Sequence, residues 1–146
     1  MTPITASIEI SRPPQDVFDY VNDLDRHTEW QSGLVSVEVE SEGPTQKGTR
    51  ARETRKVPGG KQSYQYEITE YDPPRVAGFQ VLTGPVRPHG RVTLTPLDDG
   101  KRTRVDFTIE FAGHGLGKLL LPLVNRDARK TVPADLQALK QRLEPA

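Results

Sequence analysis

Two ionisable residues of opposite charge lie two positions apart in residues 48–57, a segment whose pattern predicts a strand. One face of that strand would carry Ala51, Glu53 and Arg55, and the other would carry Arg50, Arg52, Thr54 and Lys56. If the first face points inward, Glu53 and Arg55 form a paired polar spot, in which Glu53 could act as an acid or base with a shifted pKa. A segment so polar is also typical of a short or edge strand solvated on both faces, and we prefer that second interpretation.

Aromatic side chains recur on the apolar faces of other predicted strands. In a filled core they would be packing residues, whereas in a protein with a cavity they would line a pocket whose tyrosine hydroxyls orient a ligand. Core packing is the preferred interpretation for each of these residues taken singly, but together they are the best candidate for the lining of a pocket. With neighbouring apolar residues, the predicted ligand-binding set is Trp30, Glu53, Tyr64, Tyr66, Phe79, Val81, Val92, Leu94, Phe107, Phe111, Leu120 and Val124.

A glycine-rich segment, residues 113–118, lies between a predicted strand and a predicted helix, where backbone N–H groups could hold a phosphate. The spacing does not fit, because a phosphate-binding loop needs four residues between its glycines and Ser or Thr after its lysine. Here three residues separate Gly113 from Gly117, and Leu119 follows Lys118. The glycines are therefore expected to form a turn or hinge, with an anion-binding nest as the alternative.

No metal or cofactor site is predicted. His27-x-Glu29 resembles the start of a zinc-deaminase signature, but that chemistry needs cysteine ligands and the chain has none. His27, His89 and His114 are too dispersed to indicate a histidine-based metal site. No G-x-S-x-G elbow occurs, so the sequence gives no support for nucleophilic catalysis and the catalytic residues stay unassigned.

Composition indicates one domain over residues 1–146. The 20 basic residues balance the 20 acidic ones, which argues against a nucleic-acid partner. No apolar run approaches the roughly 20 residues of a membrane span. The N-terminus enters a strand pattern directly, without the features of a secretory leader, so we expect a cytoplasmic protein.

The order of predicted elements is strand, short helix, about six strands and a long helix. A strand over residues 5–10 ends at Pro13 and Pro14, and Val17, Tyr20, Val21 and Leu24 then follow a helical spacing. A loop over residues 25–29 leads to Trp30, the chain's one tryptophan. Tight turns, among them one at residues 58–60, imply an antiparallel sheet. The later strands are predicted over residues 34–39, 48–57, 62–71, 76–82, 86–97 and 103–112.

The terminal helix, residues 115–143, carries apolar residues at three- and four-residue steps but does not keep one apolar face. Its apolar residues up to Val124 lie on one side of the helix, and its apolar residues from Val132 onward lie on nearly the opposite side. We therefore predict either a bend near Arg129 to Pro133, since proline removes a helical N–H donor, or a distinct N-terminal segment near Pro122. The first half is expected to lie near the pocket entrance.

This order, with its landmark residues, resembles the SRPBCC (START-like) superfamily, and in particular its small bacterial polyketide cyclase/dehydrase-like branch. The resemblance covers essentially the whole chain. The matching stretches are Ile8-Glu9-Ile10-Ser11-Arg12-Pro13-Pro14-Gln15-Asp16-Val17-Phe18-Asp19-Tyr20-Val21, Trp30, Gly48-Thr49-Arg50, Glu70-Tyr71-Asp72-Pro73-Pro74-Arg75, Gly100-Lys101-Arg102-Thr103-Arg104-Val105 and Leu136-Gln137-Ala138-Leu139-Lys140-Gln141-Arg142-Leu143-Glu144.

The resemblance implies an α+β helix-grip fold. A curved seven-stranded antiparallel sheet would wrap around the long C-terminal helix, with short helices after the first strand and a cavity between sheet and helix. In that fold Trp30 could gate the cavity mouth, or it could cap the core. The matching residues are landmarks of the fold, so the resemblance implies no catalytic residue.

The first functional hypothesis is binding or transport of a hydrophobic or amphipathic small molecule in this cavity. The second is a polyketide cyclase or dehydratase-like enzyme that acts on an aromatic or polyketide precursor, with Glu53, Tyr64 or Tyr66 moving protons. The third is a protein-interaction module of the chaperone-activator or toxin type. We expect a monomer or homodimer whose partner is the small molecule, with no nucleic acid, membrane span, cofactor or metal.

Overall fold

Alternating apolar and polar residues form the strands of the computed structural model, which describes residues 3–57 and 59–144. Two α-helices and three short 3-10 helices complete the described ranges. The strands are β1 (Ile4–Ile10), β2 (Leu34–Val39), β3 (Arg50–Val57), β4 (Gly60–Asp72), β5 (Val76–Val81), β6 (His89–Leu97) and β7 (Arg102–Glu110). The helices are α1 (Pro14–Val21), α2 (Leu121–Leu143) and the 3-10 helices Leu24–Glu29, Asp98–Gly100 and Gly115–Leu120.

Within the described residues the strands form one antiparallel sheet of seven strands, in the order β1-β7-β6-β5-β4-β3-β2. Successive strands from β2 to β7 are neighbours in the sheet, because short turns connect them. Strand β1 lies at one edge of the sheet and pairs with β7. The long helix α2 packs against β1. The predicted α+β helix-grip fold, with its antiparallel sheet, long C-terminal helix and short early helices, is confirmed.

Several predicted boundaries differ from the observed ones. The predicted loop over residues 25–29 is part of a 3-10 helix, Leu24–Glu29. Strand β6 begins at His89, and Val86 makes only an isolated bridge to Gly113. In the predicted turn at residues 58–60, Gly60 already pairs with Val57, while Pro58 lies outside the described residues.

The main core lies between one half of the sheet, α1 and the C-terminal half of α2. Phe18, Leu139 and Val105 are fully buried at its centre, and Leu136 and Leu143 extend it along α2. A second cluster lies toward the β3–β4 side of the sheet, where Leu24 packs with Tyr66. Between these two clusters the inner face of the sheet is free to border a cavity.

The terminal helix is divided, as one of the two predicted alternatives required. A 3-10 helix ends at Leu120, α2 begins at Leu121, and Pro122 lies in its first turn, where the missing N–H costs nothing. The helix then continues through Pro133, so the predicted bend near Arg129 to Pro133 is not the site of division. Both Arg129 and Pro133 face solvent, where water can serve the carbonyl that loses its helical donor.

The segment before α2 is held against the loop that follows β5. The His114 amide donates to the Pro85 carbonyl at 2.9 Å, and a Cβ at Gly117 would lie 1.8 Å from that same oxygen. Glycine is therefore required at Gly117 by close backbone contact, whereas Gly115 adopts a positive φ of 58° and forms the turn. Leucines project outward from this segment: Leu116 is 84% exposed and Leu119 is 77% exposed.

Candidate ligand-binding cavity

A cavity of about 430 Å³ lies between the inner face of the sheet and α2. Its walls are mainly aliphatic and aromatic side chains from β4 to β7, and α2 contributes Val124, Ala128 and Val132. The members of the predicted ligand-binding set that border it are Trp30, Glu53, Tyr64, Tyr66, Phe79, Val81, Val92, Phe107, Phe111 and Val124.

Two members of the predicted set do not border the cavity. Leu94 is 3% exposed and packs in the main core, because its end of β6 is covered by α1. Val92, two residues earlier on the same face, is the last position of that row to reach the cavity. Leu120 is 41% exposed, because it lies one turn before Val124, the first residue of α2 that borders the cavity.

The inward face of β3 is the one that carries Ala51. Ala51 is fully buried and Glu53 is 7% exposed, whereas Arg50, Arg52 and Lys56 face solvent. The preferred interpretation from the sequence, a strand solvated on both faces, was therefore wrong. The reason is that β3 is paired on both sides, by β2 and by β4, and its inner face is covered by the 3-10 helix at Leu24.

Glu53, Tyr64 and Arg55 form a connected polar cluster at the β3–β4 side of the cavity. Tyr64, the direct cross-strand partner of Glu53, donates its hydroxyl proton to Glu53 Oε1. Arg55 Nε donates to the Tyr64 hydroxyl oxygen at 3.0 Å, and Arg55 Nη2 lies 3.2 Å from Glu53 Oε1. The cluster thus pairs one buried carboxylate with one guanidinium through a shared phenol.

The remaining donors of Arg55 reach the loop between Trp30 and β2. Nη2 also donates to Gln31 Oε1 at 2.6 Å, and Nη1 donates to the Ser32 carbonyl at 3.3 Å. The guanidinium therefore joins β3 to this loop while it neutralises Glu53. Every nitrogen of Arg55 has a partner among the described residues.

Electrostatics keep the Tyr64 hydroxyl protonated and Arg55 charged. Burial and then the nearby Glu53 carboxylate raise the pKa of Tyr64 well above that of an ordinary phenol, so its hydroxyl stays protonated. Burial lowers the pKa of Arg55, but Tyr64 and Glu53 outweigh it and the net pKa is raised. At neutral pH Tyr64 is a neutral donor and Arg55 is a cation.

Two polar atoms that belong to cavity-lining residues are buried without a hydrogen-bond partner in the described part of the chain. They are the Tyr66 hydroxyl and the Trp30 indole nitrogen Nε1. Tyr66 is 5% exposed, and its ring packs edge-on against Phe79 with ring centroids 6.3 Å apart. Burial raises the pKa of the Tyr66 hydroxyl, with the Glu53 charge as the next cause, so this group also stays neutral.

His27 is a cavity-lining residue that sequence reasoning considered only as a metal ligand. Its Nε2 lies 2.7 Å from the Val21 carbonyl, and because a carbonyl only accepts, Nε2 carries the proton. Its ring meets Trp30 edge-on at 5.7 Å. Burial lowers the pKa of His27, so the imidazole stays neutral near pH 7.

A contact at the border of the cavity joins α2 to the loop after Trp30. Ser32 donates from its backbone N–H at 2.9 Å and from its hydroxyl at 2.7 Å to the same Asp135 oxygen. Both residues border the cavity. The sequence offered no signal for this pair, since the two residues are 103 positions apart.

Asp135→Asn is expected to stabilise the fold at neutral pH, by less than about 1 kcal/mol. Burial raises the pKa of the Asp135 carboxyl against the lowering effect of the Ser32 hydrogen bonds. A group whose pKa is raised on folding contributes stability below its unfolded pKa and loses that contribution as pH rises through its folded pKa. Asparagine keeps an acceptor for Ser32 and carries no charge.

Urea unfolding between pH 3 and pH 7 measures this effect. The native chain should lose stability relative to Asp135→Asn as the pH rises from the ordinary carboxyl range. Asp25→Asn, at an exposed position away from this contact, is the matched control. Parallel stability profiles for the native chain and Asp135→Asn would contradict the prediction.

The described residues lack two kinds of feature. No group of three or more His, Asp or Glu side chains is placed to hold a metal ion within residues 3–57 and 59–144. None of the helices in those same ranges combines the length and apolar character needed to cross a membrane.

Comparison with known proteins assigns the chain to a family. No curated protein matches the sequence significantly. Three solved structures illustrate the likeness. TTHA0849 from Thermus thermophilus shares 25% identity at a TM-score of 0.80, with 97% of each chain covered. DR_A0006 from Deinococcus radiodurans shares 21% identity at a TM-score of 0.72, with 97% of this chain and 98% of that chain covered.

The third structure is the Zhui aromatase/cyclase from Streptomyces sp. R1128, at 20% identity and a TM-score of 0.77, with 99% of this chain and 96% of that chain covered. At such identities a structural likeness concerns the fold alone. The sequence itself matches the family model described as polyketide cyclase / dehydrase and lipid transport over residues 1–144. The resemblance noted from the sequence is thereby confirmed, and the chain belongs to the polyketide cyclase / dehydrase and lipid transport family.

Proposed function

We propose that this protein binds and carries a hydrophobic or amphipathic small molecule in the cavity between the sheet and α2. The observation that carries the proposal is a cavity of about 430 Å³ with mainly apolar walls and a few polar groups at one side. That combination is typical of small-molecule sites, where apolar contact supplies affinity and a few polar groups fix orientation. The family description, which includes lipid transport, supports the same function.

The position of Trp30 gives this proposal a direct readout. It is the one tryptophan in the chain, and its ring borders the cavity. A fluorescent ligand held there would accept excitation energy from the indole. The neutral dye N-phenyl-1-naphthylamine is a suitable probe because it is apolar and emits strongly only when it is shielded from water.

Ala128→Trp is the variant that tests the proposal. Ala128 is 6% exposed and borders the cavity from α2, so an indole at this position would occupy the space a ligand needs. The native protein should bind the dye saturably with energy transfer from Trp30, and Ala128→Trp should reduce its affinity by at least about tenfold. Ala134→Trp, at an exposed position on the same helix, should leave it unchanged.

Circular dichroism of both variants separates loss of binding from loss of folding. If the native protein and Ala134→Trp bind the dye no better than a folded Ala128→Trp, the cavity is not a binding site. Because the added indole also fluoresces, the dye's own emission is the measure of affinity in both variants.

A second candidate function is a cyclase or dehydratase reaction on a polyketide precursor. The specific observation in its favour is that a hydrogen-bonded carboxylate, phenol and guanidinium border the cavity. In an intramolecular aldol condensation, Glu53 could accept a proton from a carbon between two carbonyls. The resulting enolate carbon would attack the carbon of a second carbonyl, and the alkoxide so formed would take a proton from Tyr64 or Tyr66. The remaining hydrogen of the attacking carbon would then pass to that tyrosinate, while the protonated Glu53 returns its proton to the hydroxyl as it leaves as water.

A synthetic linear poly-β-ketone tests the second candidate, because aromatic absorbance appears as the ring forms and water is lost. The enzyme hypothesis expects acceleration by the native protein and a loss of about 100-fold or more in Glu53→Gln. An unchanged rate in Glu53→Gln would show that Glu53 is not the base of the reaction. Absence of acceleration by the native protein would leave binding as the function.

A further inference from the structure

We propose that the leucine-rich segment at the start of the terminal helix docks this protein on the surface of an anionic lipid bilayer. Four side chains form what we call the leucine patch: Leu116, Leu119, Leu120 and Leu123. Two observations carry the proposal. The patch is exposed although its backbone is fixed, and exposed cations without ion-pair partners lie next to it in the chain. Docking does not require a ligand in the cavity, so it is independent of the binding function proposed above.

The leucine patch is far more exposed than apolar side chains usually are in a folded domain. Leu116 is 84% exposed and Leu119 is 77% exposed, and residues three apart in a 3-10 helix lie on the same face. Leu120 and Leu123, at 41% and 47%, extend the patch across the start of α2. A contiguous apolar patch on the surface marks a site of interaction, whereas single exposed leucines do not.

The backbone beneath the patch is fixed, so its leucines cannot simply turn inward. The His114 amide donates to the Pro85 carbonyl at 2.9 Å, and the Gly117 amide donates to the His114 carbonyl at 3.0 Å. A Cβ at Gly117 would lie 1.8 Å from the Pro85 oxygen, so the two backbones are already in direct contact. Burial of the leucines within this chain would break that contact. The patch is therefore presented to a partner outside the chain.

Basic residues accompany the patch. They are Lys118, Arg126, Arg129 and Lys130, and all four are exposed. Within residues 3–57 and 59–144, none of them takes part in a salt bridge. Arg126 and Lys130 follow Leu123 by three and seven residues, so they share its exposed face of α2. Cations are thus available to an anionic partner beside the leucines.

The charge of this region differs from that of the rest of the chain. Residues 113–130 contain four basic residues and one acid, Asp127, which gives a net charge of +3. Because the formal net charge of the whole chain is zero, the remaining residues carry −3. At an anionic bilayer, lysine and arginine side chains are attracted to the lipid phosphates while adjacent leucines enter the boundary between headgroups and acyl chains. The segment combines both features.

A protein partner fits the patch less well than a bilayer does. Four leucines at these exposures offer roughly half of the about 800 Å² that each partner buries in a stable complex. Residues 113–130 contain no Phe, Trp or Tyr, although aromatic residues are enriched among the side chains that dominate protein interfaces. A second copy of this chain would also bring two sets of cations together, and like charges repel.

Cosedimentation with sucrose-loaded vesicles near pH 7 tests the proposal without any cavity ligand. The native protein should bind vesicles of phosphatidylcholine and phosphatidylglycerol, mixed at about 7 to 3, at least about tenfold more tightly than vesicles of phosphatidylcholine alone. Binding should weaken as sodium chloride rises from about 0.1 M to 0.5 M, because salt screens the attraction of the cations.

Two double variants separate the apolar and the electrostatic contributions. Leu116→Ser with Leu119→Ser should weaken binding to the anionic vesicles by at least about tenfold, because the side chains that enter the bilayer are lost. The matched control is Val35→Ser with Val39→Ser, at exposed apolar positions on the edge strand β2, and its binding should be unchanged.

Arg126→Gln with Lys130→Gln should weaken binding to the anionic vesicles by about tenfold or more. Its matched control is Lys47→Gln with Lys101→Gln, which removes the same charge from exposed positions in the loops at the opposite end of the sheet. All four double variants change exposed residues, and circular dichroism checks that each is folded.

Three results would overturn the proposal. The first is failure of the native protein to bind the anionic vesicles. The second is binding that is equally tight in the folded leucine variant and in its valine control, since the attraction would then not involve the patch. The third is a dimer of the native protein in analytical ultracentrifugation that becomes a monomer in the leucine variant, which would assign the patch to a second copy of this chain. Dye binding in the cavity is measured separately, so its failure would leave the docking result unaffected.

Discussion

Arg55→Met is expected to lower the free energy of unfolding by about 3–5 kcal/mol at pH 7. The side chain of Glu53 is 9% exposed, and Arg55 is the cation that pairs with it. Removal of Arg55 leaves a buried carboxylate whose desolvation is no longer compensated, and it also removes the donors that hold Gln31 and the Ser32 carbonyl. Urea unfolding followed by circular dichroism measures the change.

Arg91→Met is the matched control on the same sheet. Arg91 pairs with Glu70 at 2.9 Å, but both side chains are exposed, so its loss should cost less than about 1 kcal/mol. In the double variant Glu53→Leu with Arg55→Met, the unpaired charge is gone, and at least half of the lost stability should return. Equal losses in Arg55→Met and Arg91→Met would show that burial of the pair has no energetic consequence.

Leu139→Ala is expected to destabilise the fold by about 3–4 kcal/mol. Leu139 is fully buried on α2, within the main core against the sheet. Truncation removes its apolar contacts and leaves a void that α2 cannot close by itself. Because Leu139 also borders the ligand cavity, that void would be continuous with the cavity.

Leu123→Ala is the control for this prediction, since the same substitution is made on the same helix. Leu123 is 47% exposed, so the change should be within about 0.5 kcal/mol of the native stability. Denaturant midpoints for the two variants provide the comparison. A loss at Leu123 as large as that at Leu139 would mean that the N-terminal part of α2 is packed in solution, contrary to the structure.

The strands were predictable where one face of the sheet is buried and the other is solvated. In β7, Val105 and Phe107 alternate with Arg104 and Asp106. This period of two follows from strand geometry and does not depend on how the neighbouring elements pack. The long helix was predictable for a similar reason, because Leu136, Leu139 and Leu143 keep one face toward the core. The change in the direction of its apolar residues predicted either a bend near Arg129 to Pro133 or a division near Pro122, and the structure has the division.

The inward face of β3 was not predictable from β3 alone. Its two faces are nearly equal in polarity, so the choice depends on which side the neighbouring elements cover. Ala51 faces inward because the 3-10 helix at Leu24 and the adjacent Tyr66 pack over it. Once Ala51 is placed, the alternation of the strand brings Glu53 and Arg55 inside as well.

The sequence by itself determined the antiparallel sheet, the terminal helix and most of the aromatic and aliphatic cavity wall, because these depend on local periodicity and on burial of one face. Only the tertiary structure decided which polar groups reach the cavity and how they pair. The contacts of Arg55 with Gln31 and of Ser32 with Asp135 join segments far apart in the chain. A periodic pattern reports which face of an element is apolar, but it carries no information about which distant polar side chain will satisfy a buried one.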